Sequence, residues 1–169
     1  METQTKAAIQ PLTAAHFPSV TSIYDQGIAS QNATLETKAP TWQYWDQGHL
    51  PHSRWVAVSG TGQVVGWAAL SPVSGRCVYG GVAEVSVYIE ESARNQGIGS
   101  LLLQALITSS EQNGIWTLQA GILKENEASV AMHLKNGFRM VGLRERIGQL
   151  HGQWRDTYLL ERRSHTVGV

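Results

Sequence analysis

The chain has 169 residues, of which 42% are hydrophobic and 15% charged, with acidic and basic residues balanced at 13 each. This composition excludes a disordered chain and allows one substantial core. The charge balance leaves no global field to draw the chain onto nucleic acid or an anionic membrane, and Glu161-Arg162-Arg163 is too short to act as a basic tail.

The polar stretch Met1 to Ala8 lacks the apolar region of a secretion signal, and no apolar run reaches the length of a membrane span. One cysteine, Cys77, can make no internal disulfide and suits a reducing compartment. These features predict a cytoplasmic protein. No internal repeat, low-complexity segment or linker divides the sequence, so residues 1–169 read as one domain. The six tryptophans point to core and dimer packing.

Residues 7–12 read as a first strand ended by Pro11. Thr13 is placed to cap a helix running to about Ala29, with Val20, Ile23, Tyr24 and Ile28 on one side. A polar loop, Ser30 to Pro40, precedes a short tryptophan-rich helix near 41–47. Strands at about 54–59 and 63–70 are joined by the hairpin turn Ser59-Gly60-Thr61-Gly62. The loop 71–80 leads to a strand around 82–90, in which Val85, Val87 and Ile89 alternate with Ser86 and Tyr88. That alternation predicts a half-buried strand. A helix follows from about 97 to 113, then a strand from Trp116 to Leu123 and a helix from Glu127 to Asn136 capped by Asn126. Two late strands, about 138–147 and 153–161, complete the order.

The connection between the 82–90 strand and its helix carries the chemistry. Arg94-Asn95-Gln96-Gly97-Ile98-Gly99 forms an R-x-x-G-x-G turn, followed by apolar positions at helical spacing: Ile98, Leu101, Leu102, Ala105 and Leu106. Without a Cβ, Gly97 and Gly99 let backbone approach a ligand closely. Free N–H groups and the positive end of the helix dipole at Gly97 to Ser100 make a pyrophosphate site. A Rossmann turn would need a further glycine where Leu102 stands, and a P-loop would need a Gly-Lys-Ser/Thr triplet that the chain lacks. A bare G-x-G is an ordinary turn; here the preceding strand, Arg94 and the immediate amphipathic helix favour the binding function.

Other residues stand as candidates, each beside a plainer alternative. Glu84 shares strand parity with Ser86 and Tyr88 and could accept a proton from a substrate ammonium, or be a solvated strand-end carboxylate. Asn126 could be a plain cap or also reach a ligand. His133 suits proton donation to a thiolate, or is a polar residue on a partly exposed helix face. Arg76 could pair bidentately with a carboxylate or simply be solvated. Trp154 in Gly152-Gln153-Trp154-Arg155-Asp156 favours packing over chemistry. His49 and His52 flank Leu50-Pro51 but have no third ligand at metal-binding spacing, so no metal site is expected. Cys77 has no evident activating neighbour.

The R-x-x-G-x-G turn resembles the acetyl-CoA signature of the GNAT acetyltransferase superfamily. Ala33-Thr34-Leu35-Glu36, Ala83-Glu84-Val85-Ser86-Val87-Tyr88-Ile89, Asn126-Glu127-Ala128-Ser129, Leu134 to Phe138 and Gly152-x-Trp154-x-Asp156 narrow the resemblance. Over about residues 7–163, the chain is similar to the branch that acetylates phosphinothricin, methionine sulfoximine and methionine sulfone.

The resemblance implies an α/β (α+β) GNAT fold, a mixed bent sheet of about seven strands flanked by about four helices. It implies acetyl-CoA as co-substrate, direct transfer to the amine of a small amino acid, and a homodimer. Glu84 and His133 become the expected catalytic residues. Val87, Tyr88, Ile89, Arg94, Asn95, Gln96, Gly97, Ile98, Gly99, Ser100, Asn126 and Ser129 become the expected cofactor contacts. Thr34, Leu35, Arg76, Glu84, Ser86 and Trp154 become the expected acceptor contacts, with Arg76 holding the α-carboxylate. Leu35 replaces a frequent phenylalanine, and the loop Ser71 to Tyr79 lacks a second basic residue that some members carry. Two other functions fit the same pattern: acetylation of a peptide N-terminus, a lysine or a polyamine, and non-catalytic acyl-CoA sensing.

Overall fold

The computed structural model describes residues 7–169. The expectation drawn from the polar N-terminus therefore falls largely on residues 1–6, outside the described residues. The strands are β1 (Ala8–Pro11), β2 (Trp55–Val58), β3 (Val64–Pro72), β4 (Val82–Ile89), β5 (Thr117–Leu123), β6 (Arg139–Leu150) and β7 (Gln153–Arg163). The α-helices are α1 (Phe17–Ser30), α2 (Trp42–Gly48), α3 (Ile98–Gln112) and α4 (Glu127–Lys135). All seven strands form one mixed sheet, as expected, and the structure orders them β1-β2-β3-β4-β5-β7-β6.

The apolar run Val64 to Leu70 explains why β3 lies near the middle. Its side chains alternate between two cores, so neither face meets water. Ala68 and Leu70 join Leu102, Leu103 and Leu106 of α3 on one face. Trp67 and Ala69 join Val20 and Ile23 of α1 and Trp45 of α2 on the other.

β4 departs from the expected half-buried strand. Val85 does face the α3 core, but Tyr88 on the opposite face packs into the α1–α2 cluster rather than facing solvent. The helix expected from Thr13 is also divided. A short 3-10 turn, Ala14–His16, precedes α1, and Pro18 sits in the first turn of α1, where its missing N–H costs nothing.

One register fact positions everything that follows. β3 and β4 pair along almost their full length, from Gly66↔Ile89 to Pro72↔Ala83. By contrast, β4 and β5 run parallel and pair only from Val82↔Thr117 to Glu84↔Gln119. Beyond Glu84 the two strands separate, leaving the β5-facing edge of Val85–Ile89 without a strand partner. The late strands are longer than the sequence suggested, and their ladder is interrupted between Arg144 and Gly148. Arg146 has φ +48°, and its N–H donates to Asp156 Oδ1 at 2.8 Å, giving the aspartate of the Gly152-x-Trp154-x-Asp156 motif a structural task.

Candidate active site

Two cavities, of about 690 and 950 Å³, meet where β4 and β5 part. Ala33, Val87, Tyr88, Asn126 and Ser129 line both, so these residues mark the junction.

The smaller cavity gathers around a chain turn and the starts of two helices. It is lined by Val87 to Ile89, Arg94, Asn95, Gly97 to Ser100 and the N-terminal residues of α4. Asn95 (φ +62°) and Gly97 (φ +79°) both take left-handed conformations, which turn the chain sharply into α3. No side chain caps this helix start, leaving the N–H groups of Ile98, Gly99 and Ser100 available to an anion. Arg94 and Lys135 add cations.

The two glycines serve different ends. A Cβ on Gly97 would meet open space, whereas one on Gly99 would lie 2.5 Å from Met132 Sδ of α4. Gly99 therefore allows α3 and α4 to pack closely. This packing task stands beside its place in the lining of the smaller cavity.

The larger cavity is built from side chains. Glu84 and Ser86 line it from β4, Thr34, Leu35 and Glu36 from the α1–α2 loop, His133 from α4, and Tyr24, Trp45, His49 and Trp67 from the aromatic cluster. Glu84 Oε1 accepts from Gln119 Nε2 at 3.2 Å, across the last paired rung of β4 and β5. His133 is only 4% exposed, so it is not the polar residue of a partly exposed face. Its Nδ1 lies 2.7 Å from the Ser129 carbonyl and donates to it, and Phe138 packs edge-on at 5.1 Å. Burial pushes its pKa below the ordinary imidazole value, an effect the Ser129 carbonyl opposes. The resting side chain is thus a neutral imidazole whose Nε2 carries a lone pair.

Burial likewise lowers the His49 pKa. The His49 ring stacks on Trp45 at 4.1 Å, and Nδ1 lies 2.6 Å from the Trp45 carbonyl. Arg54 fixes this corner by donating to Asp46 Oδ1 and to the Leu50 and His49 carbonyls. Tyr24 and Tyr88 stack at 5.0 Å, and burial raises both phenol pKa values.

The structure thus gathers most of the anticipated residues, with exceptions. Gln96 does not line the smaller cavity, although its neighbours do. Asn126 has both ends of its amide engaged: Oδ1 accepts from the Ser129 N–H at 3.2 Å, and Nδ2 donates to the Asn32 carbonyl at 3.1 Å. Arg76 does not line the acceptor side. It enters the 3-10 turn Cys77–Tyr79, closed by the Tyr79 N–H on the Arg76 carbonyl at 3.0 Å, and its guanidinium lies over the Tyr79 ring. Trp154 is 57% exposed at the start of β7, away from both cavities.

Sequence reasoning missed Tyr24, Trp45, Trp67 and Gln119 as parts of the site and weighed His49 only as a metal ligand. The spacing of Trp42, Trp45 and His49 along one side of a short helix was the available signal. No cluster of three or more possible metal-ligating His, Cys, Asp or Glu residues occurs among the described residues. Nor is any helix among them long and apolar enough to cross a membrane.

A parted pair of parallel strands, a helix start with free N–H groups and a second cavity with a carboxylate and an imidazole fit an acyltransferase. The family model described as "Acetyltransferase (GNAT) family" matches residues 21–138, and the chain belongs to that family. Among its relatives is YwnH of Bacillus subtilis (strain 168), 36% identical over 149 residues, covering 85% of this chain and 91% of that protein; its name assigns it provisionally as a phosphinothricin acetyltransferase. The L-methionine sulfoximine/L-methionine sulfone acetyltransferase of Pseudomonas aeruginosa (strain PAO1) is 29% identical over 163 residues, covering 92% of this chain and 93% of that protein. The crystal structure of a phosphinothricin acetyltransferase from Sinorhizobium meliloti in complex with acetyl-CoA superposes with a TM-score of 0.87 at 28% identity, covering 96% of this chain and 91% of that one. The protein is an N-acetyltransferase enzyme of this branch, and acetyl-CoA is its co-substrate.

Proposed function

We propose that the chain is one N-acetyltransferase domain that acetylates the α-amino group of a small amino acid of the methionine sulfone, methionine sulfoximine or phosphinothricin type. The observation that carries this reading is the junction of the two cavities at Val87–Tyr88, with Glu84 and His133 both lining the larger one. The names of the relatives supply the acceptor class.

Bound acetyl-CoA supplies an activated acyl group and a thiolate leaving group. Its diphosphate would be held by the free N–H groups at Ile98 to Ser100 and by Arg94, and its extended arm by the open edge of Val87–Ile89. Glu84, steadied by Gln119, takes a proton from the acceptor ammonium, directly or through one water. A backbone N–H on the open edge of β4 meets the charge that develops on the carbonyl oxygen during transfer. His133 enters neutral, takes the second amine proton on Nε2 and passes it to the departing sulfur. One proton ends on the thiol and one leaves through Glu84. No acyl-enzyme is required, and much of the rate comes from holding two substrates in register.

Met140, Leu143 and Ile147 on β6 and Trp154 on β7 are exposed apolar side chains on one hairpin, which supports a homodimer. A cytoplasmic location agrees with the composition.

The test is thiol release from acetyl-CoA over a panel containing methionine sulfone, methionine sulfoximine, phosphinothricin, common amino acids, a lysine peptide and a polyamine. The proposal expects the small amino-acid analogues to lead in kcat/KM. A polyamine or peptide in first place would replace the acceptor, and absence of release with every amine would favour an acyl-CoA sensor.

A further inference from the structure

The loop 31–36 carries Thr34 and Leu35 of the acceptor cavity yet contains no helix or strand. Bonds to distant segments fix its course. Gln31, with φ +60°, ends α1 in a left-handed turn, so its carbonyl must find a donor outside the helix. Arg155 of β7 supplies that donor: Nη1 reaches the Gln31 carbonyl at 2.9 Å. Nη2 of the same guanidinium donates to Asn32 Oδ1 at 3.1 Å and to Glu125 Oε2 at 3.0 Å. Glu125 directly precedes Asn126, the α4 cap that donates to the Asn32 carbonyl. The Arg155 pairing holds the Glu125 carboxyl below its usual range, so it remains a carboxylate at neutral pH. β7 is a firm base at this point, because the Asp156 carbonyl accepts from the Lys124 N–H at 3.1 Å and Thr157 lines the acceptor cavity.

We propose that Arg155 is a positioning residue for acceptor binding, clasping loop 31–36 to the N-terminal end of α4. Thr34 and Leu35 on the loop then stand in fixed relation to His133 on the helix. The planar fork of arginine suits three acceptors from two segments, whereas a lysine ammonium on a flexible stem orients them less well. The inference rests on the larger cavity being the acceptor site. Neither Arg155 nor Gln31 lines either cavity, and Asn32 and Glu125 line the smaller one, so the clasp reaches the larger cavity only through the loop.

The test compares the full-length wild type with Arg155→Ala and Arg155→Lys, using methionine sulfone as acceptor. The KM for methionine sulfone rises about tenfold or more in Arg155→Ala, kcat stays within about threefold, and the KM for acetyl-CoA rises by a smaller factor, since Asn32 and Glu125 also line the smaller cavity. Arg155→Lys recovers part of the loss. In hydrogen exchange, residues 30–36 exchange faster in Arg155→Ala, and residues 94–100 exchange as in the wild type. An unchanged acceptor KM overturns the proposal, as does an equal loss for both substrates accompanied by a lower Tm. If the wild type acetylates none of the amines, the acceptor assignment fails by itself. Hydrogen exchange then decides the clasp, and an unmoved 30–36 segment overturns it.

Discussion

The two cavities are made of different materials. The smaller one centres on a backbone turn, whose left-handed residues and free helix N–H groups belong to the contiguous segment 94–100. The larger one is assembled from side chains on α1, the α1–α2 loop, α2, β3, β4, β5, α4 and the β6–β7 hairpin. Backbone geometry recognises a group that does not vary, and it tolerates change in most side chains around it. A side-chain cavity fits one acceptor and can be refitted to another by a few substitutions. Changes in the larger cavity should therefore move chemistry and acceptor choice, and changes in the turn should move cofactor affinity.

The largest expected effect is at Glu84. Glu84→Gln keeps the Gln119 contact sterically but removes the base, and should lower kcat/KM by about 10²- to 10⁴-fold with little change in the acetyl-CoA Kd. Steady-state thiol release and calorimetric titration separate the two quantities. An equal loss in both would erase the proposed division of labour.

Trp67 comes next. It is 1% exposed and in ring contact with Trp45, Tyr24 and Tyr88. Trp67→Ala should cost about 3–5 kcal/mol of stability. The milder Trp67→Phe should fold and reorder kcat/KM among acceptors while sparing the acetyl-CoA KM. Denaturant titration and the acceptor panel check these outcomes.

Gly97→Ala probes the backbone side. Imposing a Cβ at φ +79° costs about 1–2 kcal/mol, which should appear as an acetyl-CoA KM raised by about tenfold and an unaltered acceptor KM. The smallest effect concerns pH. Burial holds His133 and His49 below the unfolded imidazole value of about 6.5, so the unfolded chain binds more protons just below that pH. Stability contributed by the neutral rings is complete above this value. It falls as pH drops through it, until the folded-state values are passed. His52 is lowered in the same direction, so Tm should decline between about pH 7.5 and 5, and less steeply in His49→Gln, where one of the three groups is gone.

The same contrast explains what could be read from the amino-acid order. The strand alternation of 85–89, the Arg94–Gly99 turn and the cap Asn126 are local, so the sequence displays them. The partnership of Glu84 with Gln119 depends on a parallel pairing that stops after three rungs, and nothing local announces where strands part. The buried aromatic wall was hidden for a related reason. Trp45 and Trp67 look like ordinary core residues, and they are core residues whose edge of the cluster also faces a cavity. The packing task of Gly99 was hidden because Met132 is distant in sequence. Arg76 and Trp154 were carried into the site by family resemblance, and tertiary structure puts both on the surface of this chain.

The most direct test is the structure of the enzyme with CoA and methionine sulfone bound together. The account predicts the diphosphate on the N–H groups of Ile98 to Ser100. It predicts the acceptor amine in the larger cavity, within about 3 Å of the Glu84 carboxylate or one water away. An amine lying outside that cavity, or within it but beyond reach of Glu84, would contradict the assignment.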